Sequence, residues 1–200
     1  MRILFAVTCI LLLPQTLYSQ EPVTARAIPE CAVRGNDLVD RSAPRFEQYR
    51  VKRSSPFRPA KLDLQSNPIA RRYRTVIRDE MTHGPNFAGH YRVVFWGCGT
   101  SCSQFALVNL KTGHVITLNG TYAVAYVDFD TNDFLPKTDS KGYGFRYKRN
   151  SNLLVLVGTL ISDNPRKREL DEGASYYILK DEELRLVHRT PVRHRTCQDY

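Results

Sequence analysis

Apolar residues along the chain indicate one helix followed by a series of strands. Residues 20–66 contain several prolines and show no regular apolar spacing. The apolar residues that follow have the spacing of one face of an amphipathic helix, and they are Ile69, Tyr73, Val76, Ile77 and Met81. Ser66 or Asn67 can cap the first turn of this predicted helix.

Beyond this helix the pattern changes to short apolar runs that are rich in β-branched and aromatic residues, as is typical of strands. Turn residues separate the runs, and the Asn119-Gly120 dipeptide is the strongest hairpin signal among them. The predicted strands are Tyr91–Trp96, Phe105–Leu110, Val115–Leu118, Thr121–Phe129, Tyr143–Tyr147, Leu153–Leu160, Ser175–Leu179 and Leu184–Arg189.

Two parts of the strand region share one organisation. Arg92–Leu118 and Leu153–Arg189 each contain a strand, a loop, a strand, a short turn and a strand, like the meander of a propeller blade. Two such units are too few to close a ring. We therefore predict a mainly β (α+β) fold, which is an antiparallel meander sheet or small sandwich with blade-like hairpin repeats and one amphipathic helix packed on it.

The start of the chain has the pattern of a secretory signal peptide. Arg2 supplies a positive charge, and the apolar run Ile3–Leu13 is too short to span a bilayer. An uncleaved N-terminal anchor is the alternative. We predict a secreted or periplasmic protein that is not an integral membrane protein, with a signal peptide at residues 1–19, a basic, proline-rich N-terminal extension at 20–61 and a β-rich globular domain at 62–200.

Secretion gives the cysteines a structural interpretation. Cys9 leaves with the signal peptide, and the remaining cysteines would enter an oxidising compartment, where disulfides form. Three pairings of these four residues are open. We favour Cys98 with Cys102, which closes a short turn, and Cys31 with Cys197, which ties the ends of the domain together.

The charge of the chain is strongly positive, with 29 basic and 20 acidic residues. Basic residues are concentrated in the N-terminal extension between Arg41 and Lys61. Such a region can bind an anionic surface such as lipid headgroups, cell-wall polymers or nucleic acid. A solvated surface that keeps the protein soluble is the favoured interpretation, and we expect no specific nucleic acid partner.

The most distinctive part of the sequence consists of two neighbouring motifs, Asn86-Phe-Ala-Gly-His-Tyr91 and Trp96-Gly-Cys-Gly-Thr-Ser-Cys102. They resemble a segment shared by small secreted bacterial proteins of uncharacterised function. The resemblance extends more weakly to Leu153–Gly158 and Tyr176–Val187, and it does not include the residues before Leu62. It implies a secreted bacterial protein and implies nothing about a substrate.

Cys98 and Cys102 also suggest redox chemistry. Thiol–disulfide enzymes usually carry Cys-X-X-Cys at a helix N-terminus, whereas here the spacing is one residue longer and strands are expected on both sides. A zinc site would need further ligands, and the mature chain has no second closely spaced cysteine pair. We therefore favour a bridge that shapes the loop.

Two further enzyme hypotheses use the same segment. Cys98 with His90 and Asn86 could form a nucleophile, a base and an orienting amide. However, His90 begins the predicted strand, so Cys98 should lie about 25 Å along it. Ser101 lacks the closing glycine and the strand-to-helix turn of a nucleophile elbow.

An acidic stretch carries oxygen ligands at the first, third, fifth and twelfth positions of a calcium loop. These residues are Asp128, Asp130, Asn132 and Asp139. The glycine expected at the sixth position is missing, and no helices are predicted on either side. We favour a solvated acidic turn, and we expect no metal or other cofactor.

These observations favour a non-catalytic binding or interaction module that uses the cysteine-bridged loop. The alternatives are a thiol- or histidine-dependent enzyme and an envelope accessory protein that binds anionic polymers through its basic extension. The expected partner is a protein or an envelope polymer. The predicted binding residues are Asn86, His90, Tyr91, Trp96, Gly97, Gly99, Thr100 and Ser101.

Overall fold

The computed structural model of the protein describes residues 40–52, 58–99, 102–119, 121–125, 144–162 and 171–192. Several predictions fall outside the described residues. These are the signal peptide, the Cys31–Cys197 pairing, the acidic stretch with Asp128, Asp130, Asn132 and Asp139, and the loop residues Thr100 and Ser101.

The predicted mainly β fold is confirmed, and each predicted strand has a counterpart. A 3-10 helix spans Phe46–Tyr49. The helices are α1 (Pro68–Arg72) and α2 (Arg74–Thr82). The strands are β1 (Tyr91–Gly99), β2 (Cys102–Asn109), β3 (Val115–Ile116), β4 (Thr121–Ala125), β5 (Phe145–Tyr147), β6 (Leu153–Ser162), β7 (Asp171–Lys180) and β8 (Glu183–Pro191).

The strands form one antiparallel sheet that divides into two halves. The order is β1-β2-β4-β6-β7-β8, with β3 paired to β2 and β5 paired to β6. Strand β4 links the halves, because it pairs with both β2 and β6. We call β1, β2 and β3 the first half-sheet, and β5 to β8 the second. Strands β1 to β3 and β6 to β8 correspond to the two similarly organised parts of the sequence, and β5 lies outside both.

The two half-sheets contribute side chains to one shared core, as in a small sandwich. Val93 and Leu107 enter this core from the first half-sheet, and Leu154 and Tyr177 enter it from the second. Alternate residues of the same strands point to the outer faces, where two further apolar clusters form. Burial on both faces explains why Leu153–Val157 is a continuous apolar run.

The helices cover the outer face of the first half-sheet. The Asn67 side chain accepts a hydrogen bond of 2.9 Å from the backbone N–H of Ile69, so the predicted cap is present. Ile77 is fully buried in a cluster with side chains from β1 and β2. The expected single helix is interrupted at Tyr73. Val76, expected on the apolar face, is 38% exposed.

Residues 40–52, which we call the N-terminal segment, cover the outer face of the second half-sheet. Phe46 is 2% exposed and lies in a cluster with side chains from β6 and β7. The backbone carbonyl of Phe46 accepts a hydrogen bond from the Ser151 hydroxyl, and Val51 N–H donates to Asn150. This part of the basic extension is therefore packed against the sheet.

The loop before β1 joins three separate parts of the chain. Ala88 and Gly89 both have positive φ, and their N–H groups donate to the carbonyls of Ser151 and Arg149. A Cβ atom at Gly89 would lie 2.5 Å from the carbonyl oxygen of Lys52. Glycine is therefore required by both the backbone conformation and the space. We call this contact the Gly89 junction.

The hairpin expected at Asn119-Gly120 is wrong. Strands β3 and β4 both pair antiparallel with β2, so they run in the same direction along one side of it. No pairing between β3 and β4 occurs in the described residues. Tertiary pairing overrides the local turn preference, because β3 pairs with β2, and β4 pairs with both β2 and β6. In these positions Val115, Ile116 and Val124 are buried. Gly120 itself lies outside the described residues.

Candidate functional site

Strands β1 and β2 form a hairpin that a disulfide closes. The bond joins Cys98 and Cys102, whose Cα atoms are 5.2 Å apart, and this predicted pairing is confirmed. An added Cβ atom at Gly97 or Gly99 would meet no atom within 4 Å, so both glycines face open space. We call Gly97, Cys98, Gly99 and Cys102 the bridged tip. Both sulfurs are in the bond, so the tip carries no free thiolate.

Trp96, a predicted binding residue, packs back against the helices. Its ring centre lies 4.2 Å from that of Tyr73, in a stacked arrangement. The indole N–H donates to Gln104 Oε1 at 2.7 Å, and the Tyr73 hydroxyl donates to the same oxygen at 2.7 Å. Because Gln104 is buried, this shared acceptor satisfies both donors and fixes both rings. Trp96 therefore anchors the base of the bridged tip.

The exposed aromatic ring beside the tip belongs to Phe95, which is 40% exposed. Phe95 stacks on Phe145 with ring centres 5.6 Å apart, and Phe145 meets Phe105 edge-on at 5.3 Å. Phe145 is buried, so the core supports one side of the Phe95 ring. Strand alternation places Phe95 on the same face as the buried Val93, and that is why its exposure is not evident from the sequence.

The Asn86 side chain covers the outer edge of β1 near the start of the strand, at Val93. The part of this edge near the end of the strand is at Phe95 and Gly97. The Asn86 side chain accepts a hydrogen bond from Val93 N–H at 2.7 Å and donates to the Val93 carbonyl at 3.2 Å. Alternate residues of an antiparallel strand direct their backbone groups to the same side, so Phe95 and Gly97 direct theirs to this edge. Among the described strands, β1 is at the end of the sheet. Asn86 thus has a structural role at this edge.

His90 and Tyr91 lie at the opposite end of β1 from the bridged tip. Their rings are in contact, with centres 4.5 Å apart. The Asn109 side-chain amide donates to Glu182 Oε1 at 2.8 Å and to the Tyr91 hydroxyl at 3.4 Å. This cluster connects the start of β1 to the turn between β7 and β8.

The environment of His90 favours its neutral form. Burial lowers the pKa of the His90 imidazole, and the positive charge of Lys111 acts in the same direction. The strand between His90 and Cys98 is continuous, which separates the two residues by about 25 Å. A Cys–His catalytic pair is therefore not formed.

The predicted binding residues that the structure describes do not form one surface. Gly97 and Gly99 are at the bridged tip, and Trp96 packs at its base. Asn86, His90 and Tyr91 support the other end of the strand. Within the described residues, no group of three or more His, Cys, Asp or Glu side chains could hold a metal ion. No helix in the described ranges is long and apolar enough to cross a membrane.

A second polar cluster joins the N-terminal segment to β8. His188 Nε2 lies 2.6 Å from Asp40 Oδ2, and the Thr190 hydroxyl donates to the same oxygen at 3.1 Å. The Ser42 hydroxyl donates to Asp40 Oδ1 at 2.6 Å. The Ser42 hydrogen bond, followed by that of His188, holds the pKa of Asp40 well below its ordinary range.

This cluster has the residue types of a Ser-His-Asp triad but not its order of contacts. In a triad the serine hydroxyl bonds to the histidine, which in turn bonds to the aspartate. Here Ser42 donates to Asp40, so His188 does not activate it. The arrangement fastens the N-terminal segment to the sheet. Sequence reasoning did not find it because Asp40 and His188 are 148 positions apart.

We find no match to this chain among protein-family models, curated proteins or solved structures.

Proposed function

We propose that this protein is a secreted, non-catalytic binding protein that captures its partner at the bridged tip and the adjoining edge of β1. The observation that carries this proposal is the position of Phe95. Phe95 is 40% exposed and its ring rests on a buried aromatic ring, while its backbone groups face the edge of the sheet. Exposed aromatic anchors on a supported base are typical of binding hot spots.

The partner would supply an extended segment that adds to β1 beside Phe95 and Gly97. In this mode, backbone hydrogen bonds give affinity and side-chain contacts give specificity. An apolar side chain of the partner would cover the free side of the Phe95 ring.

The construction of the tip supports this mode. The disulfide closes the hairpin, and the hydrogen bonds of Gln104 fix Trp96 at its base. A surface held rigid before binding loses less conformational entropy on association than a mobile one. A need for a rigid binding surface explains the disulfide across so short a loop better than a contribution to global stability does.

Two observations support a non-catalytic role. His90 is at the far end of the strand from Cys98, and Ser42 donates to Asp40 and not to His188. The disulfide also supports an oxidising location outside the cytoplasm. Together with the predicted signal peptide, it motivates the secreted or periplasmic assignment.

The decisive experiment compares two exposed apolar residues on opposite end strands. Phe95→Ala removes the proposed anchor, whereas Leu186→Ala alters a side chain on β8 that is 54% exposed. The mature protein is immobilised and exposed to an extract of the native cell envelope. We expect Phe95→Ala to weaken retention of a specifically captured partner about tenfold, as for an interface hot spot. Leu186→Ala should retain it.

Circular dichroism and thermal unfolding establish that both variants are folded. Equal retention by Phe95→Ala and the wild type would refute the proposal, as would equal loss by both variants. Retention that survives Phe95→Ala but falls steeply with added salt would favour the alternative, an accessory protein that binds anionic envelope polymers.

A further inference from the structure

A cavity of about 640 Å³ lies between residues 58–62 and the end of α2, away from the bridged tip. Its volume is within the range of about 300–1,000 Å³ that is usual for ligand pockets. The residues that give it its chemical character are Pro59, Leu62, Met81, Arg58, Lys61 and Arg78.

The walls of the cavity are fixed by backbone contacts. Ala60 N–H donates to the carbonyl of Leu110 at 2.9 Å, and Asp63 N–H donates to the carbonyl of Gly113 at 3.0 Å. A Cβ atom at Gly113 would overlap the carbonyl of Lys61, so the two backbones are in close contact there. Residues 60–63 therefore lie against the first half-sheet as part of the fold.

The cavity combines an apolar wall with positive charge. Leu62 and Met81 are 9% and 4% exposed and belong to the apolar cluster beneath the helices. Arg58, Lys61 and Arg78 also line the cavity, and none of the lining residues that the structure describes is acidic. In the described part of the chain, no ion pair joins these three cations to an acid. Their charges are available to a ligand.

We propose that this cavity binds a free, single-chain amphiphile with an anionic head, such as a medium- or long-chain carboxylate. The alkyl chain lies against Pro59, Leu62 and Met81. The head group is paired by Arg78 and Lys61, with Arg58 at the opening. Charge complementarity beside an apolar wall selects for a ligand that carries both properties, since each alone satisfies only part of the lining. This site is independent of the partner site at the bridged tip.

The first test separates the two properties. Calorimetric titrations of the mature protein use octanoate, which has both the chain and the charge, 1-octanol, which has the chain alone, and butyrate, which has the charge with a short chain. We expect octanoate to bind one to one and about tenfold more tightly than either of the others, a difference of about 1.4 kcal/mol. No octanoate binding, or equal binding of octanoate and 1-octanol, would overturn the proposal.

The second test uses matched charge removals. The double variant Lys61→Gln/Arg78→Gln should weaken octanoate binding about tenfold or more. Arg74→Gln/Arg71→Gln removes the same charge from helix positions that do not line the cavity, and it should leave the affinity within about twofold. Equal weakening by both double variants would mean diffuse surface attraction and would overturn the cavity assignment.

Two controls identify the source of the ligand and separate the proposals. If the protein bound anionic phospholipid vesicles but not octanoate, the positive charges would serve to bind a membrane surface, and the proposed ligand site in the cavity would be overturned. Phe95→Ala should leave octanoate binding unchanged. The experiments can therefore overturn the ligand site in the cavity without affecting the proposed partner site at the bridged tip, and the reverse also holds.

Discussion

The two outer faces of the sandwich are covered in contrasting ways. Over the first half-sheet, the helices bury several apolar side chains, among them Ala70 and Ile77 at 0% exposure. Over the second half-sheet, the N-terminal segment buries one large side chain, Phe46, and is further held by the charged hydrogen bonds of Asp40. Apolar burial responds little to pH, whereas charged hydrogen bonds are lost on protonation.

The two covers should therefore differ in the free energy that is needed to open them. A cover held by a continuous apolar cluster should open only with the whole domain. A cover held by one fully buried side chain, by the partly buried Ala43 and Tyr49 and by a few polar contacts should open locally, at a lower free energy.

The largest effect is expected in the helix cover. Ile77→Ala should reduce the free energy of unfolding by about 4 kcal/mol, because it leaves a cavity in a fully buried cluster. Denaturant unfolding monitored by circular dichroism measures this loss. Val76→Ala is the matched control, since Val76 is 38% exposed, and it should cost under about 1 kcal/mol. If both variants lost a similarly small amount of unfolding free energy, the helices would not belong to the cooperatively unfolding core.

Phe46→Ala should cost about 3 kcal/mol, and its effect should be confined to the N-terminal segment. Hydrogen exchange is the suitable measurement. The amide of Val51, which donates to Asn150, should exchange faster, whereas the helical amide of Ile77 should keep its protection. Equal acceleration at both amides would show that the two covers form one cooperative unit.

Gln104→Leu should cost about 2 kcal/mol, because it leaves the partly buried donors of Trp96 and Tyr73 without their shared acceptor. Trp96 is the single tryptophan of the chain, so its fluorescence reports on this site directly. Tyr73→Phe removes only one of the two donors and should cost about 1 kcal/mol. Unchanged emission in Gln104→Leu would contradict the anchoring role of this amide.

The smallest effect concerns pH. The pKa of Asp40 is lower in the folded protein than its ordinary value of 3.8. Its stabilising contribution is therefore complete above about pH 4 and is lost as the pH falls through the lower folded-state pKa. We expect about 1 kcal/mol at this partly exposed site.

The test is exchange at Val51 between pH 6 and pH 2, after correction for the intrinsic exchange rate. Asp40→Asn should remove the pH-dependent part of the protection while leaving the amide of Ile77 unaffected. An identical pH dependence in the variant and the wild type would exclude Asp40 as its source.

Local patterns account for most of the fold. The spacing of apolar residues between Ile69 and Met81 reflects contact with a sheet, and the Asn67 cap is a contact with a near neighbour in the chain. The strands are evident because their composition is set by burial. The Cys98–Cys102 bridge could likewise be predicted, since four positions separate its ends.

Contacts between distant residues account for what the sequence did not reveal. Tyr73 and Gln104 are 31 positions apart. The spacing of apolar residues around each of them does not indicate that the Tyr73 hydroxyl and the Trp96 indole share Gln104 as an acceptor. At Asn119-Gly120, tertiary pairing with β2 outweighs a strong local turn signal. Phe95 is exposed because it lies towards the end of β1, a position that periodicity alone cannot distinguish from the buried Val93.

The Gly89 junction has a consequence for the order of assembly. It needs Lys52, Gly89 and residues 149–151 in place together, and the carbonyl of Phe46 meets a hydroxyl 105 positions later. Contacts of such long sequence separation form slowly, because long loops must close first. A chain that emerges from its N-terminus exposes residues 40–52 early and cannot dock them until β6 has formed. The first part of the domain to appear is among the last to be fixed in place.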